Sequence, residues 1–418
     1  MIRSMSLNTI SCYRSILILF FIALLSLDLE GQRVWTVDQL LDLNLIEDEL
    51  PYQKNLNFIN NEAKGMPFVD RYEFRTETDE MEFERQQYQF RVKFNSSDER
   101  KAYDQILSAN KDRYSWLQAQ FELEVWEERY KNIIDLYFYQ KEMDLLGQDL
   151  ELLSDKKKVL KKILDNETQV DVSEWISNEA EIFDVLSDSL ELELKKKGIL
   201  QKLFGRVGQI IELDVFNFIQ IQSINRIVAE VENVATQHPD NALVMAEEKL
   251  AYAEYNLELA EANRWLEFAQ IQYKSDDDVS FQKEISLGTS ITIPYKNNNR
   301  VKKNDAALEL LEKKYEANIE EEENKKGLFL EEAKIKSLFE QLDDFKVMRE
   351  NQKLDSMFES FSEDKIVSPL VLIGLKRSIL RNAKNQMDIE KDIYESYINI
   401  LTKKAAFLKV PRINYLKD

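Results

Sequence analysis

Apolar and polar residues alternate over residues 279–293. A period of two is typical of a strand with one apolar and one polar face. The preceding residues 266–273 alternate in the same way, and residues 274–278 supply the polar residues of a turn. The pattern predicts a β-hairpin over residues 265–294. Its odd positions from 279 onward are Val279, Phe281, Lys283, Ile285, Leu287, Thr289, Ile291 and Ile293.

A second alternation occurs closer to the N-terminus and predicts a β-hairpin over residues 67–94. Tyr72 and Phe74 alternate with Glu73 and Arg75, and the returning run contains Tyr88, Phe90, Val92 and Phe94. This hairpin is shorter and more charged than the other. Because an isolated two-stranded hairpin is only marginally stable in water, both hairpins require a partner.

The remainder of the chain has helical periodicity with few breaks, since only nine glycines and six prolines occur. A short helical segment precedes the first hairpin. One helix is predicted from residue 97 to about 164, which corresponds to about 100 Å. It reverses near 165–173 and returns to about 203. A second long helix is predicted without a break from 301 to 361, reverses near 362–369 and returns to about 408.

The predicted elements occur twice in the same order, which indicates an internal duplication. The first structural repeat covers residues 32–203 and the second covers residues 238–410, with a connecting region at 204–237. Residues 411–418 are expected to form a tail after the last ordered element. The predicted fold class is mainly α with a small β part, built from long antiparallel helical hairpins and four strands.

The N-terminal 31 residues have the features of a secretory signal peptide. Arg3 and Arg14 precede the apolar run 16–27, which is short for a membrane span. An uncleaved anchor is the alternative. No later stretch of the sequence is apolar enough for a transmembrane helix. The net charge of −21 argues against nucleic acid as a partner.

The sequence contains no recognisable catalytic or metal-binding motif, so we expect no enzyme activity and no cofactor. His238 is the only histidine, and its position beside Pro239 indicates a surface or helix-capping role. Cys12 is the only cysteine and precedes the apolar run of the leader. The acidic run Asp276–Asp278 is interpreted as a solvated turn, with a divalent-cation site as the alternative.

Four strands cannot close a barrel, and open sheet edges in lipid leave backbone groups unpaired. Closure therefore requires further copies of the chain, and three copies supply twelve strands. Positions expected to face lipid are Tyr72, Phe74, Tyr88, Phe90, Val92, Ile271, Tyr273, Phe281, Ile285, Leu287, Ile291 and Ile293. Positions expected to face the lumen are Gln270, Gln272, Ser286, Ser290 and Thr292.

Three segments resemble the TolC-type outer-membrane efflux proteins, and the resemblance covers essentially the whole mature chain. HPDNALVMAEEKLAYAEYNLELAEANRW is similar to a proline-initiated, alanine- and glutamate-rich helix of that family. ISLGTSITIPYKNNNR is similar to its strand and polar linker, and DKIVSPLVLIGLKRSIL to its second helical reversal. The resemblance implies a homotrimer with a transmembrane β-barrel in outer-membrane lipid and a helical barrel, or α-barrel, in the periplasm.

The resemblance also implies a function and partners. The expected protein is an outer-membrane exit duct of a tripartite efflux or type I secretion system, working with a periplasmic adaptor (membrane fusion protein) and an inner-membrane transporter. Val371 and Gly374 stand where many members carry gating aspartates, so an acidic gate is not carried over. A soluble periplasmic coiled-coil adaptor or structural protein, with the hairpins as a soluble β-ribbon, is the alternative. The periplasmic tips for adaptor docking or gating are expected at Asp171, Val172, Ser173, Asp364, Ile366, Val367 and Ser368.

Overall fold

A computed structural model describes residues 33–41, 51–78, 86–166, 172–204, 211–213, 218–231, 238–274, 285–291, 299–363 and 367–417. The strands are β1 (Arg33–Trp35), β2 (Val69–Thr78), β3 (Gln86–Phe94), β4 (Ile211–Leu213), β5 (Leu266–Lys274) and β6 (Ile285–Ile291). The helices are α1 (Val37–Leu41), α2 (Gln53–Asn61), α3 (Ser97–Asn166), α4 (Val172–Phe204), α5 (Ile221–Glu230), α6 (Pro239–Ala262), α7 (Arg300–Gln352), α8 (Leu354–Glu363) and α9 (Pro369–Lys403). The predicted signal peptide lies outside the described residues.

The two hairpins join into one antiparallel sheet in the order β2-β3-β5-β6. The register places Phe74 opposite Phe90, Phe90 opposite Ile271 and Ile271 opposite Leu287. These residues therefore form one row across all four strands, on a single face of the sheet. The long-range pairing of β3 with β5 gives each hairpin the partner that it lacks alone.

The long helices lie side by side in two tiers below the sheet. Close to the sheet, α6 packs between α3 and α7. Its buried side chains there are nearly all alanines, which allow the neighbouring helices to approach closely: Ala242, Ala246, Ala251, Ala253, Ala260 and Ala262. Further away, the helices adjoin in the order α4, α3, α9 and α7. Helix α3 has 70 residues and is therefore about 105 Å long.

The long helix predicted without interruption over 301–361 is broken, and this expectation was wrong. Lys353 has a φ of 51° in the left-handed region and separates α7 from α8. The Lys353 carbonyl accepts hydrogen bonds from the Met357 amide and the Ser356 hydroxyl, each at 2.9 Å, so that α8 begins directly after the break. A left-handed residue commonly ends a helix, but it is usually glycine, so the sequence gives no signal at Lys353.

A continuous apolar core lies midway along the helices, where β1 pairs in parallel with β4. Neither short strand was predicted from the sequence. The core includes residues of α1, α3, α5 and α9, and Tyr130 stacks on Phe407 with the ring centres 4.5 Å apart. This region fixes the helices relative to one another.

The segment after α9 is part of this core, so the expectation that the ordered chain ends at Pro411 was wrong. Leu416 is fully buried, and its carbonyl accepts a hydrogen bond from the Ile219 amide at 2.8 Å. Tyr397 donates to the Tyr415 carbonyl at 3.0 Å, and Lys417 lies 2.9 Å from Asp38. Residues 411–417 have no helical or strand periodicity, and their burial was therefore not visible in the sequence.

The order of two strands, a long helix and a returning helix occurs on both sides of the α5 region. The internal duplication itself, with its division into repeats, remains a prediction. None of the helices in the described residues is both long enough and apolar enough to serve as a membrane span.

Replacing Leu416 with alanine should destabilise the protein by about 2–5 kcal/mol, because the substitution leaves a cavity in a filled core. Val410→Ala is the matched control, since Val410 is 88% exposed and the same segment carries it. Thermal unfolding of the purified protein, followed by circular dichroism, measures both. Equal midpoints for the two variants would contradict a structural role of the C-terminal segment.

Candidate functional site

The four-stranded sheet has one apolar face that the described part of the chain leaves uncovered. The face, here called the apolar face, contains large side chains with high exposure, including Leu287 at 80%, Tyr72 at 67% and Phe74 at 66%. Contiguous exposed apolar patches usually mark an interaction site. Its described members are Tyr72, Phe74, Tyr88, Phe90, Val92, Ile271, Tyr273, Ile285 and Leu287.

Aromatic rings stack across the strands of the apolar face. Tyr72 stacks on Phe90 at 5.9 Å between ring centres, and Tyr88 stacks on Tyr273 at 6.2 Å. Cross-strand pairs of this kind stabilise a sheet by roughly 0.2–1 kcal/mol each. The face is therefore ordered within a single chain, although no other element in the described residues covers the exposed side chains named above.

The opposite face, here called the polar face, carries hydrogen-bonded glutamines. Gln89 donates to the Oε1 of Gln270 at 2.6 Å, and Gln272 donates to the Oε1 of Gln87 at 3.0 Å. Ser286 and Ser290 lie on the same face, beside Gly288. The Gln270 side chain lies over Gly288, where an added Cβ would come within 3.0 Å of it.

Charged residues of β2 and β3 form a basic cluster on the polar face, defined as Arg71, Arg75, Arg91 and Lys93 around Glu73. All four cations lie within 4 Å of the single carboxylate. The cluster occupies the half of the sheet that is closer to the helices. The sequence pattern showed that these residues alternate with apolar ones, but their convergence depends on the strand register.

A buried ion pair connects the sheet to the helices. Glu99, in the first turn of α3, is fully buried and lies 2.5 Å from the guanidinium of Arg264, which follows α6. The carboxylate also accepts a hydrogen bond from the Ser96 amide at 2.6 Å, and the Glu99 amide donates to the Ser96 hydroxyl at 3.2 Å. This reciprocal arrangement is a capping box. Glu99 thus caps the N-terminus of α3 and also pairs with Arg264, which lies just before the second hairpin.

Near the other end of the molecule, Arg377 connects three helices. Its guanidinium donates to both carboxylate oxygens of Asp149, at 2.6 and 3.1 Å, and to Glu181. The hydrogen bond to Asp149 is the main cause of the raised pKa of Arg377. The sequence analysis missed this residue, because its partners are 228 and 196 positions away in the chain.

The predicted tip residues are only partly described. Asp171, Asp364 and Ile366 lie outside the described residues, whereas Val172 begins α4 and is 54% exposed. Ser368 is the N-cap position of α9, with Pro369 in its first turn, and Val367 is half-buried. Ser173, in the first turn of α4, is exposed.

The remaining predicted site residues are also only partly within the described residues. Phe281, Thr292, Ile293 and the acidic run 276–278 lie outside the described residues, and Ile291 is exposed next to a register shift. His238 caps α6, with its Nδ1 accepting a hydrogen bond from the Asp240 amide at 3.3 Å. The described part of the chain contains no group of three or more His, Cys, Asp or Glu side chains placed to hold a metal ion.

No family model and no curated protein matches the sequence of this chain. Solved structures do match its three-dimensional arrangement. The outer membrane protein VceC of Vibrio cholerae superposes with a TM-score of 0.61 at 11% identity, covering 85% of this chain and 90% of VceC.

Two further channels give similar results. The Campylobacter jejuni CmeC outer membrane channel matches with a TM-score of 0.60 at 11% identity over 87% of this chain and 82% of that one. The open state of the Neisseria gonorrhoeae MtrE outer membrane channel matches with a TM-score of 0.57 at 12% identity over 85% and 83%. The chain has the TolC-type fold of these proteins, which confirms the predicted resemblance and the predicted fold class at the level of the fold.

Replacing Arg377 with alanine should loosen the packing of α4 and α9 against α3, because Asp149 and Glu181 would face each other without a cation. Hydrogen–deuterium exchange should therefore accelerate in residues 178–186 and 372–382. Arg381→Ala, an exposed arginine one turn along the same helix, is the control and should leave exchange unchanged. Equal protection from hydrogen exchange in both variants would show that Arg377 does not stabilise the packing of α4 and α9 against α3.

Proposed function

We propose that three copies of this chain form a passive exit duct through the outer membrane and the periplasm, as part of a tripartite efflux or type I secretion system. The observation that carries the proposal is the four-stranded sheet, with an exposed apolar face on one side and a polar, hydrogen-bonded face on the other. Such a sheet fits a barrel wall between lipid and water. The likeness in fold to known outer-membrane channels supports the same conclusion.

The open edges of the sheet explain why several copies are needed. In the described residues, β2 and β6 each pair along one side only. In lipid, each unpaired backbone group costs several kcal/mol, so an open sheet is not stable there. Pairing β6 of one copy with β2 of the next closes the ring, and three copies give twelve strands around a polar lumen.

Helices α4 and α7, at the two ends of the order α4, α3, α9 and α7, also have exposed apolar residues. On α4 they include Ile176, Phe183 and Leu190, which recur every seven residues. On α7 they include Phe329, Leu330 and Val347. A seven-residue apolar repeat is typical of helices that pack as coiled coils. We infer that α4 of one copy packs against α7 of the next and continues the barrel as a helical tube.

The far ends of the helices are the proposed contact with a periplasmic adaptor and, through it, an inner-membrane transporter. Val172 and Ile176 are exposed beside the reversal between α3 and α4. The duct itself needs no catalytic group or cofactor, since the energy for export is supplied by the transporter. The proposed location is the outer membrane, with helices extending into the periplasm after export by the N-terminal leader.

Replacing Leu287 with lysine should remove the protein from the outer membrane, because a lysine on the lipid side of a barrel costs about 2–4 kcal/mol at the membrane midplane. Ser286→Lys is the matched control. It adds the same charge one residue earlier, on the polar face, and should leave the protein membrane-bound. Membrane fractionation followed by immunoblotting measures both variants.

Two outcomes would contradict the proposed duct. Equal membrane retention of the two lysine variants would show that the faces do not separate lipid from water. A soluble monomer or dimer of the unaltered protein in the periplasmic fraction would favour the alternative, a coiled-coil adaptor or structural protein. The expected particle, extracted in detergent, has about three times the mass of one mature chain.

The double substitution Phe183→Ser and Leu190→Ser should reduce the amount of intact trimer, because it removes two large apolar contacts from each inferred interface. The control substitutes the next residue in each case, Asp184→Ser and Glu191→Ser, both of which are exposed. Native mass spectrometry of the purified proteins reports the trimer fraction. An unchanged trimer fraction in the first variant would remove α4 from the interface.

A further inference from the structure

The polar face of the sheet has the opposite charge to the chain as a whole. The protein carries a net charge of −21. Cations nevertheless exceed carboxylates on the described polar face, where only Glu73 and Glu77 are acidic. The cations on this face are Arg71, Arg75, Arg91, Lys93 and Lys274.

One carboxylate cannot neutralise the cations that surround it. Glu73 Oε1 lies 2.8 Å from the Nε of Arg71 and 3.3 Å from the Nζ of Lys93. Its Oε2 lies 3.2 Å from an Nη of Arg75 and 3.8 Å from an Nη of Arg91. Arg71 also lies 4.0 Å from Asp70 Oδ2. In the described residues these four cations therefore meet two carboxylates, and the cluster retains an excess positive charge.

The surrounding residues hold Arg91 in a fixed position. Its guanidinium lies over the Phe268 ring, 3.9 Å from the centroid. Its Nε and Nη2 also donate to the Oε1 of Gln270, at 3.3 and 3.1 Å. Gln270 reaches this position because Gly288, directly across the strand pair, has no side chain. The charge at Arg91 is thus preorganised.

Arg71 and Arg75 extend further into solvent. Their side chains are 58% and 51% exposed, compared with 16% for Arg91 and 19% for Lys93. A guanidinium presents a planar set of donors that matches carboxylate, phosphate and sulfate oxygens. The cluster therefore combines fixed inner charges with accessible outer donors.

We propose that the basic cluster forms a cationic belt inside the duct, which attracts anionic solutes and favours their passage. The class of cargo is a molecule bearing carboxylate, phosphate or sulfate groups. This inference rests on the proposed function, because it requires the polar face to line a lumen shared by several copies. Rings of arginine and lysine select anions in pores, and low-dielectric walls strengthen their field.

Ion selectivity of the purified channel in planar lipid bilayers tests the proposal. The double variant Arg71→Gln and Arg75→Gln should lower the chloride-to-potassium permeability ratio, on the order of twofold or more, relative to the unaltered channel. Glu73→Gln should raise the same ratio, since it removes the carboxylate from the same cluster. Glutamine keeps hydrogen-bonding capacity in all cases, so the sheet retains polar partners.

The salt dependence provides an independent readout. Screening shortens the reach of a charge from about 10 Å at 0.1 M salt to about 3 Å at 1 M. The difference between the unaltered and arginine-substituted channels, read from reversal potentials in potassium chloride gradients, should therefore shrink at high salt.

The possible failures are distinguishable. Absence of any conductance in the unaltered protein would overturn the duct itself. Normal conductance with an unchanged permeability ratio in both variants would overturn the cationic belt and leave the duct intact. A shift in the same direction for the arginine and glutamate variants would also overturn it, because the belt requires opposite signs.

Discussion

The backbone pairing of β3 with β5 is the interaction on which the rest of the structure depends. It runs from Gln87 opposite Lys274 to Lys93 opposite Phe268 and joins segments about 180 residues apart. Without it, each hairpin would be a two-stranded ribbon of marginal stability. With it, alternate residues of four strands fall into one apolar and one polar face. The Glu99–Arg264 ion pair then fixes both hairpins above the helices, and the arrangement of the whole chain follows.

The long helices differ in how many of their side chains are buried, and α7 buries very few. Helix α7 has 53 residues, yet its buried residues are only Leu310, Ile335 and Leu342. Long helices in water derive most of their stability from lateral packing of an apolar stripe. Helix α7 has apolar residues that are exposed in the described part of the chain, such as Leu308 and Phe329. This uncovered apolar surface is consistent with the proposed assembly of several copies.

Much of the fold could be predicted because it depends on local periodicity. The alternation through Tyr72 and Phe74, and again through Ile285 and Leu287, predicted four strands and assigned their faces. The helical spacing and the scarcity of glycine and proline predicted the long helices. Features set by distant contacts were missed. The break at Lys353 has no glycine, and the partners of Arg377 are far away in sequence. The four cations around Glu73 are brought together by the strand register, which the alternation alone does not predict.

The burial of the C-terminal segment affects the order in which the contacts of the central core can form. Asp38 near the N-terminal end contacts Asn414 and Lys417, so the central core contains both extremities of the described chain. Contacts between residues this far apart form late, because the intervening chain must first be brought together. A chain without Tyr415 and Leu416 cannot fill this core. The fold of the central core therefore depends on contacts between the two ends of the described chain.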